Sequence, residues 1–337
     1  MAEVDLSVVA PCYNEEFVLP EFHRRLSTVC RRLNLPYELV LVNDGSNDGT
    51  WATMLELART DRRLVCVNLA RNHGHQLALT AGLSACGGRR ILIIDADLQD
   101  PPELLPEMLA RLEAGADVVY GQRRRRAGES IFKRTTASLF YRLIERLSAV
   151  AIPRDTGDFR LMSRRVLDVL LAMPERHRFI RGMVSWIGFR QEPLLYDRDP
   201  RFAGETKYPL RKMLRFAVDA ITGFSVKPLA FASLAGAGTS LVSSILFAAA
   251  LASWLAGGTS GGWLAALAVA TLLGGVQLLA LGVMGEYLGR LYEQSKGRPL
   301  FLIERIVRQE ETGRTANLRM SPSGAALPGG PGSSLVA

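Results

Sequence analysis

Two acidic residues one position apart, Asp95-Ala96-Asp97, are followed by Leu98-Gln99-Asp100-Pro101-Pro102-Glu103. They close a short apolar run, Arg90–Asp95, that reads as a strand, and strand residues two apart point to the same side. Two carboxylates so placed repel each other unless a cation lies between them. Hard oxygen ligands suit Mg²⁺ or Mn²⁺, with the Gln99 amide oxygen as a third donor. An ion held by Asp95, Asp97 and Gln99 keeps open positions and suits a diphosphate. A pair of capping acids in a turn is the plain alternative, but the carboxyl end of a strand favours the metal. Two earlier strands end in Pro11-Cys12-Tyr13-Asn14-Glu15-Glu16 and Asn43-Asp44-Gly45-Ser46. A tight turn at Gly45 would free the Asp44 carboxylate for ribose hydroxyls or a base edge, while Tyr13 and Glu15 stack on and hydrogen-bond a base. Each of these is equally at home as a turn residue. No GxGxxG and no GxxxxGK[ST] follows any strand, which disfavours dinucleotides and P-loop nucleotides.

The elements that must hold these residues alternate. Apolar, β-branched runs at 6–11, 38–42, 64–69, 90–95 and 117–121 read as strands covered on both faces. Segments 17–32, 50–59, 76–86 and 103–113 read as helices, with Asp48 as a cap for the second and Pro101–Pro102 opening the fourth. Such alternation makes βαβ units and a mainly parallel sheet, whose ligands bind at the carboxyl ends of the strands. Further on, 132–148 reads as a helix, 155–165 as a loop entering a helix, and 187–197 as a strand.

The 337 residues are 48% hydrophobic and only 22% charged, which excludes a disordered chain. The apolar residues are unevenly spread. Leu229 to Gly285 contains no Asp, Glu, Lys or Arg, so a water-soluble single domain is excluded too. Gly257–Gly262 divides this stretch into 229–256 and 263–285, each long enough to span a bilayer. The short connection makes a tight antiparallel hairpin. Arg211, Lys212, Arg215 and Lys227 before it, and Arg290, Lys296 and Arg298 after it, put both flanks in the cytoplasm. Gly236, Ala237, Gly238, Gly274 and Gly275 are expected to let the two helices approach closely. Segment 208–228 has an apolar stripe opposite its basic residues and reads as an interfacial helix. The expected organisation is a catalytic domain over 1–207, the interfacial helix over 208–228, and the hairpin over 229–285. A juxtamembrane helix and a returning strand fill 286–310, and 311–337 is a disordered tail.

Forty-one Lys and Arg against thirty-three Asp and Glu leave a formal +8. Without basic segments interleaved with aromatics, that excess suits an anionic membrane or a phosphorylated substrate rather than nucleic acid. Lys133, Arg134, Arg211 and Arg215 are candidate partners for a lipid phosphate. Cys12, Cys30, Cys66 and Cys86 lack paired spacing and read as reduced, buried thiols. His73 and His75 have no further ligand nearby and do not read as a metal pair. The N-terminus lacks a basic segment followed by an apolar core, so no signal peptide is expected.

The stretches SVVAPCYNEE (7–16), VNDGSNDGT (42–50), ARNHGHQLALTAG (70–82), DADLQDPPE (95–103), DTGDFRLMSRR (155–165) and RFAGETKYPL (201–210) together resemble an inverting glycosyltransferase of family 2 with the GT-A fold, an α/β, Rossmann-like nucleotide-sugar domain. The resemblance runs from Val4 to about Arg308. It is closest to the branch that moves sugars from nucleotide-sugars to polyprenyl phosphate, such as dolichol-phosphate mannose synthases and undecaprenyl-phosphate glycosyltransferases. It implies that Pro11, Tyr13, Glu15, Val42 and Asp44 contact the nucleotide and that Asp95, Ala96, Asp97 and Gln99 form the donor-and-metal segment. Arg123 matches a diphosphate-binding arginine, Arg201 and Lys207 a basic pair closing over the donor, and Asp158 the proposed catalytic carboxylate. The histidines of ARNHGHQ depart from many relatives and leave donor choice open. The absence of a QxxRW-like sequence argues against processive polysaccharide synthases.

In the implied displacement, the acceptor attacks the anomeric carbon while a nucleoside diphosphate leaves. A phosphate monoester has a second pKa of about 6 and is largely dianionic at neutral pH. Asp158 therefore acts either as a modest base or by orienting a sugar hydroxyl or Arg160. The acceptor's chain cannot leave the bilayer cheaply, at about 0.8 kcal/mol per CH₂, so an integral protein of the cytoplasmic membrane must work at headgroup level. Two helices are too few for a sugar channel, so flipping the product needs another protein; packing of copies through the hairpin stays open. Two other readings remain: transfer to a hydroxyl lipid such as diacylglycerol, where Asp158 is indispensable, and a non-catalytic nucleotide-sugar scaffold.

Overall fold

The computed structural model describes residues 4–124, 153, 155–198, 225, 227–256, 262–309 and 315–318. They fall into two compact units. One is drawn from Met1–Glu129, Ile152–Lys207 and Arg298–Ala337, the other from Ser130–Ala151 and Tyr208–Gly297. The expected helix over 132–148, the interfacial helix over 208–228, and Lys133, Arg134, Arg201, Lys207, Arg211 and Arg215 lie outside the described residues.

The first unit is built on β1 (Leu6–Cys12), α1 (Leu19–Arg32), β2 (Tyr37–Asn43), α2 (Thr50–Thr60), β3 (Leu64–Leu69), α3 (His75–Ala85), β4 (Arg90–Ile93), α4 (Leu105–Glu113) and β5 (Val118–Arg123). It continues with β6 (Thr156–Ser163), α5 (Arg164–Ala172), α6 (Ile180–Ile187), β7 (Gln191–Tyr196), β8 (Ile303–Gln309) and β9 (Thr315–Leu318). The sheet order is β7-β5-β6-β4-β1-β2-β3-β8-β9. β1, β2 and β4 are fully or nearly fully buried along their length, as expected for apolar strands with helices on both faces. α1 turns Leu19, Phe22, Leu26, Val29 and Cys30 inward at helical spacing. All four cysteines are free and buried.

β1 is flanked by parallel β2 on one side and parallel β4 on the other. The strand order therefore reverses at β1, and a crevice opens beyond the carboxyl ends of β1 and β4, where ligands of open α/β sheets bind.

The structure corrects several expectations. Strand β4 stops at Ile93, so Asp95 and Asp97 sit in the turn after it and not on the strand itself. The segment expected as a loop over 155–165 is β6, paired antiparallel with both β4 and β5. Its charged residues Asp158 and Arg160 are buried side chains within a strand, which disguises the apolar pattern. The mainly parallel sheet is in fact mixed. The expected disordered tail contributes β9, antiparallel to β8.

In the second unit, α7 (Lys227–Leu255) and α8 (Gly262–Ser295) pack against each other. Both contain stretches long and apolar enough to cross a membrane, Lys227–Ser253 and Val269–Ser295. Leu234, Phe247, Leu278 and Leu281 point outward, as suits helices solvated by lipid. α8 runs unbroken through the segment expected as a juxtamembrane helix. At Gly236, Gly238, Gly274 and Gly275 a Cβ would meet nothing within 4 Å, so no close approach of the two helices requires glycine there.

Candidate active site

The loops after β1 and β2 are zipped together by their own polar side chains. Asn14 N–H donates to Ser46 Oγ at 3.1 Å, Asn47 N–H to Asn14 Oδ1 at 2.9 Å, and Glu15 N–H to Thr50 Oγ1 at 2.8 Å. Asp48 Oδ1 accepts from Thr50 N–H at 3.0 Å and so satisfies an amide at the start of α2. This rigid rim carries two adjoining cavities. The larger, about 400 Å³, is bounded by Pro11, Tyr13, Glu15, His75 and Asp95–Asp97 among others. The smaller, about 160 Å³, is bounded by Pro11, Cys12, Tyr13, Asp44, Asn72, Gly74 and His75. The fold thus brings Pro11, Tyr13, Glu15, Asp44, Asp95, Ala96 and Asp97 to one place. Val42 is different: its side chain is fully buried against Gly82 of α3 and lines neither cavity.

Asp44 departs from its expected freedom. The turn at Gly45 (φ +63°) directs the carboxylate inward, where His73 N–H donates to Oδ1 at 2.7 Å and Gly74 N–H to Oδ2 at 3.0 Å. Burial pushes its pKa up against the pull of these amides. The loop it grips is tied to the chain entering β8, since Leu302 N–H donates to the His73 ring at 3.3 Å. Burial lowers the pKa of that ring, which suits its role as an acceptor.

Burial, together with the charges of Asp158, Asp100 and Asp97, pushes Asp95 up to about 6, against the pull of His75. Asp95 Oδ1 is buried and makes no hydrogen bond among the described residues. Asp97 Oδ1 accepts from Gln99 N–H at 3.2 Å. A crowded set of carboxylates with a buried oxygen left over is chemically suited to a hard divalent cation. No cluster of three or more His, Cys, Asp or Glu that could hold a metal ion is assembled among the described residues.

Asp158 projects from β6 with 1% of its side chain exposed, and both oxygens are engaged. Arg181 Nε donates to Oδ1 at 2.8 Å and its NH2 to Oδ2 at 3.2 Å. Oδ2 also lies 3.0 Å from Gln76 Nε2 and 3.1 Å from His75 Nε2. Gln76 Oε1 in turn accepts from Ile180 N–H at 2.9 Å, joining the start of α3 to the start of α6. Burial alone would raise the Asp158 pKa, but the Arg181 charge and the His75 and Arg181 hydrogen bonds hold it well below the usual carboxylate range. His75 shows the converse: burial opposes its charge, yet Asp158, and Asp95 at 3.6 Å, hold its pKa up at about 9. Of the alternatives left open for Asp158, orientation of Arg160 is not what the structure shows: Arg160 donates to Gly157 O at 3.1 Å, and the guanidinium on Asp158 is that of Arg181.

Arg123 stands at the end of β5 beside Tyr196, Asp100 and Arg198, outside both cavities. Sequence reasoning did not single out Gln76, Arg181, Asp100, Tyr196 or Arg198, and it set His75 aside. His75 and Gln76 stand within the quoted ARNHGHQ stretch and Asp100 within DADLQDPPE, so position in a motif was an available signal. Arg181 carried none.

Residues 7–171 match the Glycosyl transferase family 2 profile. YkcC of Bacillus subtilis, an uncharacterized glycosyltransferase, is 45% identical over 305 residues, covering 90% of this chain and 94% of its own. The chain belongs to glycosyltransferase family 2. This glycosyltransferase is also 37% identical to the prophage bactoprenol glucosyl transferase homolog of Escherichia coli K12, over 89% of this chain and 99% of that one. The bactoprenol glucosyl transferase of Shigella phage SfV is 37% identical over 89% and 98%. Among solved structures, the Pyrobaculum calidifontis mannosyltransferase PcManGT, in complex with GDP-Man and Mn²⁺, aligns over 84% of this glycosyltransferase and 86% of its own chain, with 18% identity and a TM-score of 0.43.

Proposed function

We propose that this glycosyltransferase moves a hexose from a nucleoside-diphosphate sugar to undecaprenyl phosphate at the cytoplasmic face of the membrane, with inversion at the anomeric carbon. The acceptor class is supported by the relatives that are bactoprenol glucosyl transferases, 36–37% identical over most of the chain. The two long apolar helices fit an acceptor whose tail stays in the bilayer. The Lys and Arg residues flanking them fit a catalytic unit in the cytoplasm, with flipping of the product left to a separate protein.

One observation carries the reading: the carboxylate at the expected base position is already engaged. A buried Asp158 bound by Arg181, Gln76 and His75 is a weak proton acceptor. That would disable attack by a hydroxyl, yet costs little when the nucleophile is a phosphate already ionised near neutral pH, with a second pKa of about 6. Asp158 then acts by holding Arg181 and the ring of His75, which bounds both cavities. Pro11, Tyr13 and Glu15 form the wall for the nucleoside, and Asp44 holds the 73–74 loop that closes the smaller cavity. Asp95 and Asp97, with Gln99, would hold Mg²⁺ or Mn²⁺, which supplies positive charge to the departing diphosphate. Arg123, with Arg201 and Lys207, supplies further positive charge, and Lys133, Arg134, Arg211 and Arg215 are the candidates for the lipid phosphate.

The test uses the full chain in detergent with magnesium or manganese. Labelled UDP-glucose and GDP-mannose are each offered with undecaprenyl phosphate or with diacylglycerol. The expected result is a labelled lipid from undecaprenyl phosphate alone, with Asp158→Asn slowing transfer about 10–100-fold by loosening its partners. Product from diacylglycerol, or none from either acceptor with any donor, overturns the reading.

A further inference from the structure

Behind the Asp95–Asp97 turn lies a second cluster of charged groups, assembled from three strand ends. Asp100 comes from the chain after β4, Arg123 from the end of β5, and Tyr196 and Arg198 from the end of β7. β5 and β7 run parallel with Arg123 and Tyr196 as register partners, so the two side chains are neighbours by construction. Asp100 is 0% exposed. Its Oδ1 accepts from the Tyr196 hydroxyl, and that same hydroxyl accepts from Arg123 Nε at 3.3 Å. Arg123 NH2 lies 3.8 Å and Arg198 Nε 3.7 Å from Asp100 Oδ1, and Arg198 NH2 lies 3.9 Å from Asp97 Oδ2.

We propose that Asp100 and Tyr196 are positioning residues that hold Arg123 and Arg198 together as a cation pair for a phosphate group. The inference rests on the transfer reaction above for the identity of its ligand. Two guanidinium groups repel, and here the fixed charge of Asp100 stands between them. The ion pairs at 3.7–3.9 Å are longer than hydrogen bonds, so they attract the guanidiniums without using up their N–H groups. Among the described residues, Arg198 Nε is buried with no hydrogen-bond partner, and so is Asp100 Oδ2. A buried guanidinium N–H left unmade is costly, and phosphate oxygens match the guanidinium fork. Asp97, Asp100, Arg123 and Arg198 sum to no net charge, so the arrangement persists without ligand yet still offers donors.

The Tyr196 ring is fixed independently of its hydroxyl. It packs edge-on against Phe159, with centroids 5.7 Å apart at 69°. Gly121 of β5 makes room for it, since a Cβ there would fall 2.6 Å from Phe159 Cδ1 and 2.9 Å from Tyr196 Cε1. Burial, and then the charge of Asp100, raises the pKa of the hydroxyl, which keeps it a donor. Removal of the oxygen alone therefore leaves the packing in place.

The experiment measures equilibrium binding to the full chain in detergent with magnesium. The probes are UDP and GDP beside uridine and guanosine, and a short prenyl phosphate beside the matching prenol. Tyr196→Phe and Arg198→Gln are expected to weaken a diphosphate or the prenyl phosphate about tenfold or more and leave the corresponding nucleoside or prenol within twofold, with a cooperative melting transition showing that the chain stays folded. Loss confined to the diphosphate assigns the pair to the donor, and loss confined to the prenyl phosphate assigns it to the acceptor. Asp100→Asn should match Tyr196→Phe; if it does not fold, the other two variants decide. Unchanged phosphate binding in Tyr196→Phe, or equal weakening of phosphorylated and unphosphorylated probes, overturns the inference and leaves the transferase reading standing. A wild-type chain that binds none of the probes overturns both.

Discussion

The two ends of the central sheet hold buried polar groups of different kinds. At the amino ends, Ser7 Oγ donates to Glu38 Oε1 at 2.7 Å, Gly87 N–H donates to the same oxygen at 2.5 Å, and Gly88 N–H donates to Ser7 Oγ at 2.7 Å. Arg308 NH2, from β8, completes the set on Glu38 Oε2 at 2.9 Å. That cluster is closed within the chain, although the Tyr37 hydroxyl and Arg90 NH1, at the starts of β2 and β4, are also buried without hydrogen bonds among the described residues. At the carboxyl ends, Asp95 Oδ1, Asp100 Oδ2 and Arg198 Nε are buried without hydrogen bonds among the described residues. Unmade hydrogen bonds cost stability. At the carboxyl ends the groups left over are two carboxylates and a guanidinium around the Asp95–Asp97 turn, and there the fold gives up stability for readiness to bind.

The sharpest way to break this contrast is Asp97→Asn. Transfer should fall about 10²–10³-fold or more, with a melting temperature unchanged or raised, because one of several crowded like charges is gone. A melting temperature that drops with the rate would make the carboxyl-end acids structural, like those at the other end. A smaller effect of opposite kind is expected for Glu38→Gln. It should lose about 1–3 kcal/mol of stability, seen as a lower melting temperature, with the rate per folded molecule intact. Loss of rate without loss of stability would erase the contrast.

The smallest effect concerns Asp117, beside the amino end of β5. Arg165 is its principal hydrogen-bond partner and holds its pKa below the ordinary value. A depressed carboxylate contributes stability that is fully present above its unfolded pKa of about 3.9 and is lost as pH falls through the folded value. Melting curves of wild type and Asp117→Asn should therefore differ at neutral pH and converge below about pH 4. Curves that stay parallel would remove Asp117 from the acid response.

Much of the fold was legible because β1 to β3 lie between helices, so their sequences are unbroken apolar runs. β6 was not, because Asp158 and Arg160 face a polar interior that only tertiary pairing supplies, and a charged pair in a short segment reads as a loop. The Asp95–Asp97 pairing was legible as chemistry but for an inexact geometrical reason, since the chain leaves the strand at Ile94 and the two acids are set by a turn. Among the site residues, those next to strand ends were found from local spacing. The partners of Asp158 were not: Arg181 lies 23 positions along the chain and Gln76 lies 82, and no local pattern encodes a contact at that distance. Tyr196 and Arg198 were hidden for the same reason, since what gives them meaning is the parallel register of β5 and β7.

β7 precedes the two long apolar helices and β8 follows them, yet both strands belong to one hydrogen-bonded sheet. No sheet can be shared across a hydrocarbon layer, so the sheet acts as a parity check on insertion. If α7 crosses, α8 must cross back, or the partner of β3 is stranded on the far side and that edge is left bare. Loss or gain of a single span would therefore register first as a folding defect in the unit that carries the sheet.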